Sequence, residues 1–147
     1  MADTDVISTL NTLIETCRDG EQGFRTAAEN LKDAQVKTFF TQVAHERAKF
    51  AEELKDEVQR LGGRPEEGGS AAGAAHRGWM NVKAAVTGHD DTRIIAEAER
   101  GEDVAVETYR TALERKLPPP VDTIVHRQYA HVKDAHDRVR SLERARE

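Results

Sequence analysis

Two glutamates carry most of the chemistry that can be read from this sequence. Glu102 lies on the stripe Ile94, Ile95, Ala98, Ala105, Tyr109, Ala112 and Leu113, whose apolar residues recur at helical spacing. At about 100° of turn per residue it falls about 40° from the centre of that stripe. A carboxylate so placed must be paired, protonated or metal-bound, because burying an unpaired charge is expensive. The segment from Leu13 to Leu31 repeats the arrangement: Leu13, Ile14, Cys17, Gly20, Glu21, Phe24, Ala28 and Leu31 match Ile94, Ile95, Ala98, Gly101, Glu102, Ala105, Tyr109 and Ala112. The two Gly-Glu steps are therefore expected at corresponding depths of one core.

Three more polar residues fall on or beside apolar stripes. Arg47 interrupts Val36, Phe39, Phe40, Val43, Phe50, Leu54, Val58 and Leu61, with Glu46 at the edge of that face. Gln128 interrupts Val121, Ile124, Val125, Val132, Ala135, Val139 and Leu142, with His131 at one edge and His136 at the other. Two chemistries compete for this set. In one, Arg47 supplies the cation between Glu21 and Glu102, and Gln128 and His131 complete a buried hydrogen-bond network that fixes register rather than adding stability. In the other, Glu21, Glu46, Glu102 and His131 bind one or two transition metals, and their oxygen and imidazole donors suit iron, manganese or zinc. Arginine is a poor neighbour for a dication and the ligand count is short, which favours the ionic network.

The remaining candidates read as structural. Cys17 cannot form an intrachain disulfide and lies on an apolar stripe, where a free thiol behaves as a small hydrophobe. His126, His131 and His136 are five residues apart, a spacing that does not bring them to one helical face. His45, His76, His89 and His126 are expected to face solvent, and Trp79 with Met80 and Val82 to cover a bundle face or a dimer seam. No phosphate-binding glycine loop or nucleophile elbow is present, so no residue is assigned as catalytic or as a cofactor contact.

Four long helices must position these groups. The first spans about residues 4–31, capped at Asp3 or Thr4. Gly20 and Gly23 lie inside it, each costing about 1 kcal/mol relative to alanine; that is tolerable where a neighbouring backbone or bulky side chain must come close. The second spans about 34–61 and stops at Gly62-Gly63. A crossover of residues 62–90 follows, opening with the low-complexity GGRPEEGGSAAG and carrying a short helix at about 74–86. The third long helix covers about 91–117, ended by Pro118-Pro119-Pro120, and the fourth about 121–145. Two antiparallel hairpins joined by one long crossover make a single all-α domain over residues 1–147.

Composition narrows the function classes. A net charge of −5 with basic residues scattered among acids leaves no electrostatic footprint for nucleic acid and no basic stripe for anionic lipid. The N-terminal MADTDVIST has no signal-peptide pattern, and no apolar run approaches the roughly 20 residues that span a bilayer. With one cysteine, a reducing cytoplasm is the expected compartment.

The residues DGEQGF (19–24), AAENLKD (27–33), HRGW (76–79), RGEDVAVETY (100–109) and HD (136–137), together with the long crossover, resemble the ferritin-like superfamily, and within it a bacterial branch of four-helix proteins of unknown function. The resemblance covers nearly the whole chain and implies a ferritin-like four-helix bundle. The superfamily's metal-binding members place one Glu on each of two helices and a Glu-x-x-His step on each of the other two. Glu21 and Glu102 match the single-Glu positions, but no Glu-x-x-His occurs; the nearest steps are Gln128-Tyr-Ala-His131 and Gln42-Val-Ala-His45. Three functions follow as expectations. The first is a structural or interaction protein, linked to stress by analogy alone. The second is a metal-dependent oxidoreductase or iron-handling protein, the form an enzyme would take here. The third is a helical module holding a small ligand. Homodimerisation fits all three.

Overall fold

The structure is a computed structural model that describes residues 3–66, 79 and 81–146. Its helices are α1 (Asp3–Asn30), α2 (Ala34–Arg60), α3 (Val82–Thr87), α4 (Asp91–Leu113) and α5 (Pro119–Ala145). Local chemistry sets most of the boundaries. The Asp33 carboxylate accepts from the backbone N–H groups of Gln35 and Val36, and Asp90 accepts from that of Thr92, which satisfies donors that a helix start leaves free. Gly62, with φ 83°, takes the left-handed conformation that closes α2.

Two boundaries differ from expectation. α4 stops at Leu113 rather than near Leu117, because the chain must turn before reaching the prolines, and a residue preceding proline is driven out of the helical region. α5 starts at Pro119, since proline costs nothing at a first helical position. Of the short helix expected at 74–86, residues 74–78 and 80 lie outside the described residues; the part seen runs six residues from Val82.

α1 packs on α2 and on α4, and α4 packs on α5, whereas α2 and α5 touch only sparsely. The Asp91 carboxylate ties the bundle at one end: it accepts from the backbone N–H groups of Lys32 and Asp33, each at 2.9 Å. The apolar interior divides in two. One cluster gathers Leu10, Leu13, Cys17, Phe50, Leu54, Ala105, Tyr109 and Val132. The other gathers Phe24, Phe40, Ala44, Trp79, Ile95, Ala98 and Ala135. Between them lies a layer made of Gly20 from α1, Arg47 from α2 and Glu102 from α4, all buried. No helix of the described residues is long and apolar enough to cross a membrane.

Candidate functional site

The central layer is an ion pair. Arg47 from α2 donates from Nη1 to Glu102 Oε1 at 2.8 Å and from Nη2 to Glu102 Oε2 at 2.6 Å. The side chains are 1% and 0% exposed. Burial pulls the Arg47 guanidinium down, but the charge and hydrogen bonds of Glu102 outweigh it and raise the group above its ordinary value. Gly20 makes room for this on α1: a Cβ there would sit 3.1 Å from Arg47 Nη1 and 3.6 Å from its Cγ. The Phe24 ring lies 5.6 Å from the guanidinium carbon, within cation–π reach. Arg47 Nε finds no partner among the described residues.

A second polar chain leaves this layer and crosses the bundle. Tyr109 donates to Gln128 Oε1 at 2.7 Å, and Cys17 Sγ lies 3.1 Å from the same phenol oxygen. The phenol hydrogen being committed to Gln128, the thiol is the donor of that pair. Gln128 Nε2 donates onward to the Phe50 carbonyl at 3.3 Å and to Glu53 Oε1 at 2.9 Å, and Glu53 pairs with Arg127. Side chains of α1, α4 and α5 are thus joined in one chain of hydrogen bonds that ends on the Phe50 carbonyl and the Glu53 carboxylate of α2.

Burial pushes the Cys17 thiol from 9.0 up to about 11 and the Tyr109 phenol well above its usual 10.0. The thiol therefore stays protonated and unreactive. The folded state holds its proton more tightly than the unfolded state, so Cys17 contributes stability that is complete below about pH 9 and lost as pH rises toward 11. Urea unfolding across that range should fall more steeply for the native protein than for Cys17→Ala; parallel curves would remove the buried thiol from the account.

The expected cluster is only partly assembled. Arg47 and Glu102 meet, and Gln128 is buried on α5. Glu21 does not meet them: its carboxylate, 15% exposed, takes Arg18 at 3.3 Å and Arg25 at 2.8 Å on its own helix. The two Gly-Glu steps are rotated relative to one another. Gly20 faces the centre on α1, whereas on α4 it is Glu102, and Gly101 faces Trp79 instead. His131 is also outside the layer, 53% exposed, with Nδ1 3.4 Å from Glu46 Oε2 across the α2–α5 edge. Of the four expected metal ligands, only Glu46 and His131 approach one another.

The other histidines separate by face. His45, His89 and His126 are exposed, and His76 lies outside the described residues. His136 is buried, its Nε2 2.7 Å from Asp103 and its Nδ1 3.0 Å from Asp137, a staple between α4 and α5. Trp79 fills the seam between α1 and α4. A Cβ on Gly23 would come within 2.2 Å of its ring and one on Gly101 within 2.4 Å, so the two glycines form the slot for the indole. Beside it, Asn81 N–H donates to the buried Glu97 at 2.9 Å and fixes the end of the crossover.

Sequence reasoning missed the Cys17–Tyr109 bond, Glu53 and His136. Tyr109 and Gln128 both carried a visible signal, being polar atoms on apolar stripes. Glu53 carried one as well, one heptad beyond Glu46 on the same α2 edge.

The donor set does not suit a metal at the bundle centre. Both Glu102 oxygens are engaged by the Arg47 guanidinium, and that cation already occupies the space beside them. Among the described residues no group of three or more His, Cys, Asp or Glu side chains is placed to hold a metal ion.

Solved structures share this architecture, two of them as follows. A two-domain protein from Anabaena variabilis, containing DJ-1/ThiJ/PfpI-like and ferritin-like domains, superposes with a TM-score of 0.77 at 19% identity over 99% of this chain. The present chain spans 38% of that protein's length. A point mutant of Mycobacterium smegmatis Dps1 superposes with a TM-score of 0.78 at 14% identity, covering 96% of both chains. No curated protein matches the sequence. The fold is thus a ferritin-like four-helix bundle, with an arginine–glutamate pair at its centre. Residues 5–115 match the family model described as "Domain of unknown function (DUF2383)", and the chain belongs to that family.

Proposed function

We propose that this chain is a structural or interaction protein, a ferritin-like bundle whose interior is closed by an ion pair and whose outer faces do its work, including association with further copies of itself. The observation that carries the reading is the bidentate Arg47–Glu102 pair, which occupies the layer where a metal centre of this fold would need free carboxylates. A guanidinium fork satisfies both oxygens of one carboxylate and leaves no donor for a dication. Among the described residues the competing reading, an iron, manganese or zinc protein, retains the Glu46–His131 pair at the α2–α5 edge, short of the three protein ligands that even a catalytic zinc site assembles. Stress protection and a cytoplasmic location remain consistent with this reading, and neither is needed for it.

Elemental analysis of protein produced in metal-replete medium tests it. Iron, manganese and zinc should each be far below one per chain, and sedimentation should show a discrete oligomer. Stoichiometric metal that survives gel filtration would replace this reading with the metal-binding one.

A further inference from the structure

We infer that the bundle centre is a receptor for planar N–C–N cations of the guanidinium and amidinium class, with Arg47 as its tethered occupant. The inference rests on reading the centre as an ion pair and goes on to say which ligand chemistry the surrounding residues select. Three elements define the receptor. The Glu102 carboxylate meets the Nη1–Nη2 edge with two parallel hydrogen bonds, a match that a planar cation makes and a spherical ion does not. The Phe24 ring, 5.6 Å from the guanidinium carbon, offers its electron-rich face. That ring is itself held edge-on by Phe40 and by Trp79, each with a centroid separation of 4.9 Å. Gly20 supplies clearance on α1, where a Cβ would stand 3.1 Å from Nη1.

The part of Arg47 that is recognised does not include its tether. Nη1 and Nη2 carry both bonds to Glu102, while Nε, where the stem joins, has no acceptor among the described residues. A free guanidinium or acetamidinium ion presents the same edge. Truncating the side chain should therefore leave a site of matching charge, shape and depth. A primary ammonium lacks the fork, and a divalent metal ion finds one carboxylate where it needs several donors.

Thermal unfolding of Arg47→Ala, titrated with guanidinium far below denaturing concentrations, tests the inference. A saturable rise of several degrees in Tm is expected, since a ligand that binds only the folded state stabilises it. Acetamidinium should reproduce the rise; methylammonium, manganese and zinc should not. Wild type, whose site is filled, and Arg47→Ala/Glu102→Gln, which lacks the carboxylate that accepts both bonds, should show none. If Arg47→Ala alone is unfolded, the same ions must restore its helical circular dichroism. No saturable effect, an equal effect in the double variant, or a larger effect of the divalent ions would overturn the receptor. A metal-free wild type without rescue of the variant removes this inference alone, whereas stoichiometric metal in the wild type removes the ion-pair reading beneath it.

Discussion

Glu102→Ala should destabilise the protein by about 3–5 kcal/mol, because it leaves the Arg47 guanidinium buried without its counter-charge. The pair is worth far less than this as a net contribution. Desolvating two ions costs several kcal/mol each, which their attraction and hydrogen bonds roughly repay, so the loss on truncation reflects the stranded partner. Arg47→Leu should cost a similar amount for the same reason, now with the fully buried Glu102 carboxylate stranded. Chemical unfolding followed by circular dichroism at neutral pH measures both. For a domain of this size several kcal/mol is a large share of the total stability, and the midpoint should fall accordingly. An unchanged midpoint in either variant would mean that the partner escapes to water and that the layer is not closed.

Gly23→Ala is the second large effect, and its sign is decided by competing magnitudes. In an exposed helix the change would gain about 1 kcal/mol from propensity. Here the new Cβ would lie within 2.2 Å of the Trp79 ring, and overpacking of that kind costs about 1–3 kcal/mol. If the indole leaves the slot instead, the loss approaches the roughly 3–5 kcal/mol of removing a buried tryptophan. The variant should be less stable by about 2 kcal/mol or more, and the emission of the chain's single tryptophan should shift to the red. Gly88→Ala is the matched control: its φ is −88°, nothing lies within 4 Å of a Cβ there, and it should be neutral or slightly stabilising. Equal behaviour of the two variants would show that the slot is not closed around Trp79.

The residues explain which parts of this arrangement could be read in advance. Helix starts at Asp33 and Asp90 and the stop at Gly62 are local events, set by side chains within three residues of the boundary. The glycines at 20 and 23 were legible as places of close approach, and Arg47 and Trp79 are what approach them. Arg47, Glu102 and Gln128 were legible as polar groups on apolar stripes, and all three are buried. Glu21 was misread because its stripe position tolerates either of two rotations. One residue is about 100° of helix, and packing of α1 against Arg47 selected Gly20 for the centre and left Glu21 to Arg18 and Arg25. His131 and His136 both lay at stripe edges. Neighbouring helices decided between them: Asp103 on α4 draws His136 inward, while His131 stays at the sparsely packed α2–α5 edge. The Cys17–Tyr109 bond joins residues 92 apart in sequence, and no periodicity specifies such a partner.

The most direct test of the central claim is a double-mutant cycle on Arg47→Met and Glu102→Leu, measured by equilibrium unfolding of metal-free protein. If the two side chains form the closed pair described, each single variant should lose about 3–5 kcal/mol and the double variant should recover most of that loss, as buried ion pairs replaced by apolar residues do. Additive losses, with the double variant as unstable as the sum of the singles, would show that Arg47 and Glu102 do not depend on one another and would contradict the account.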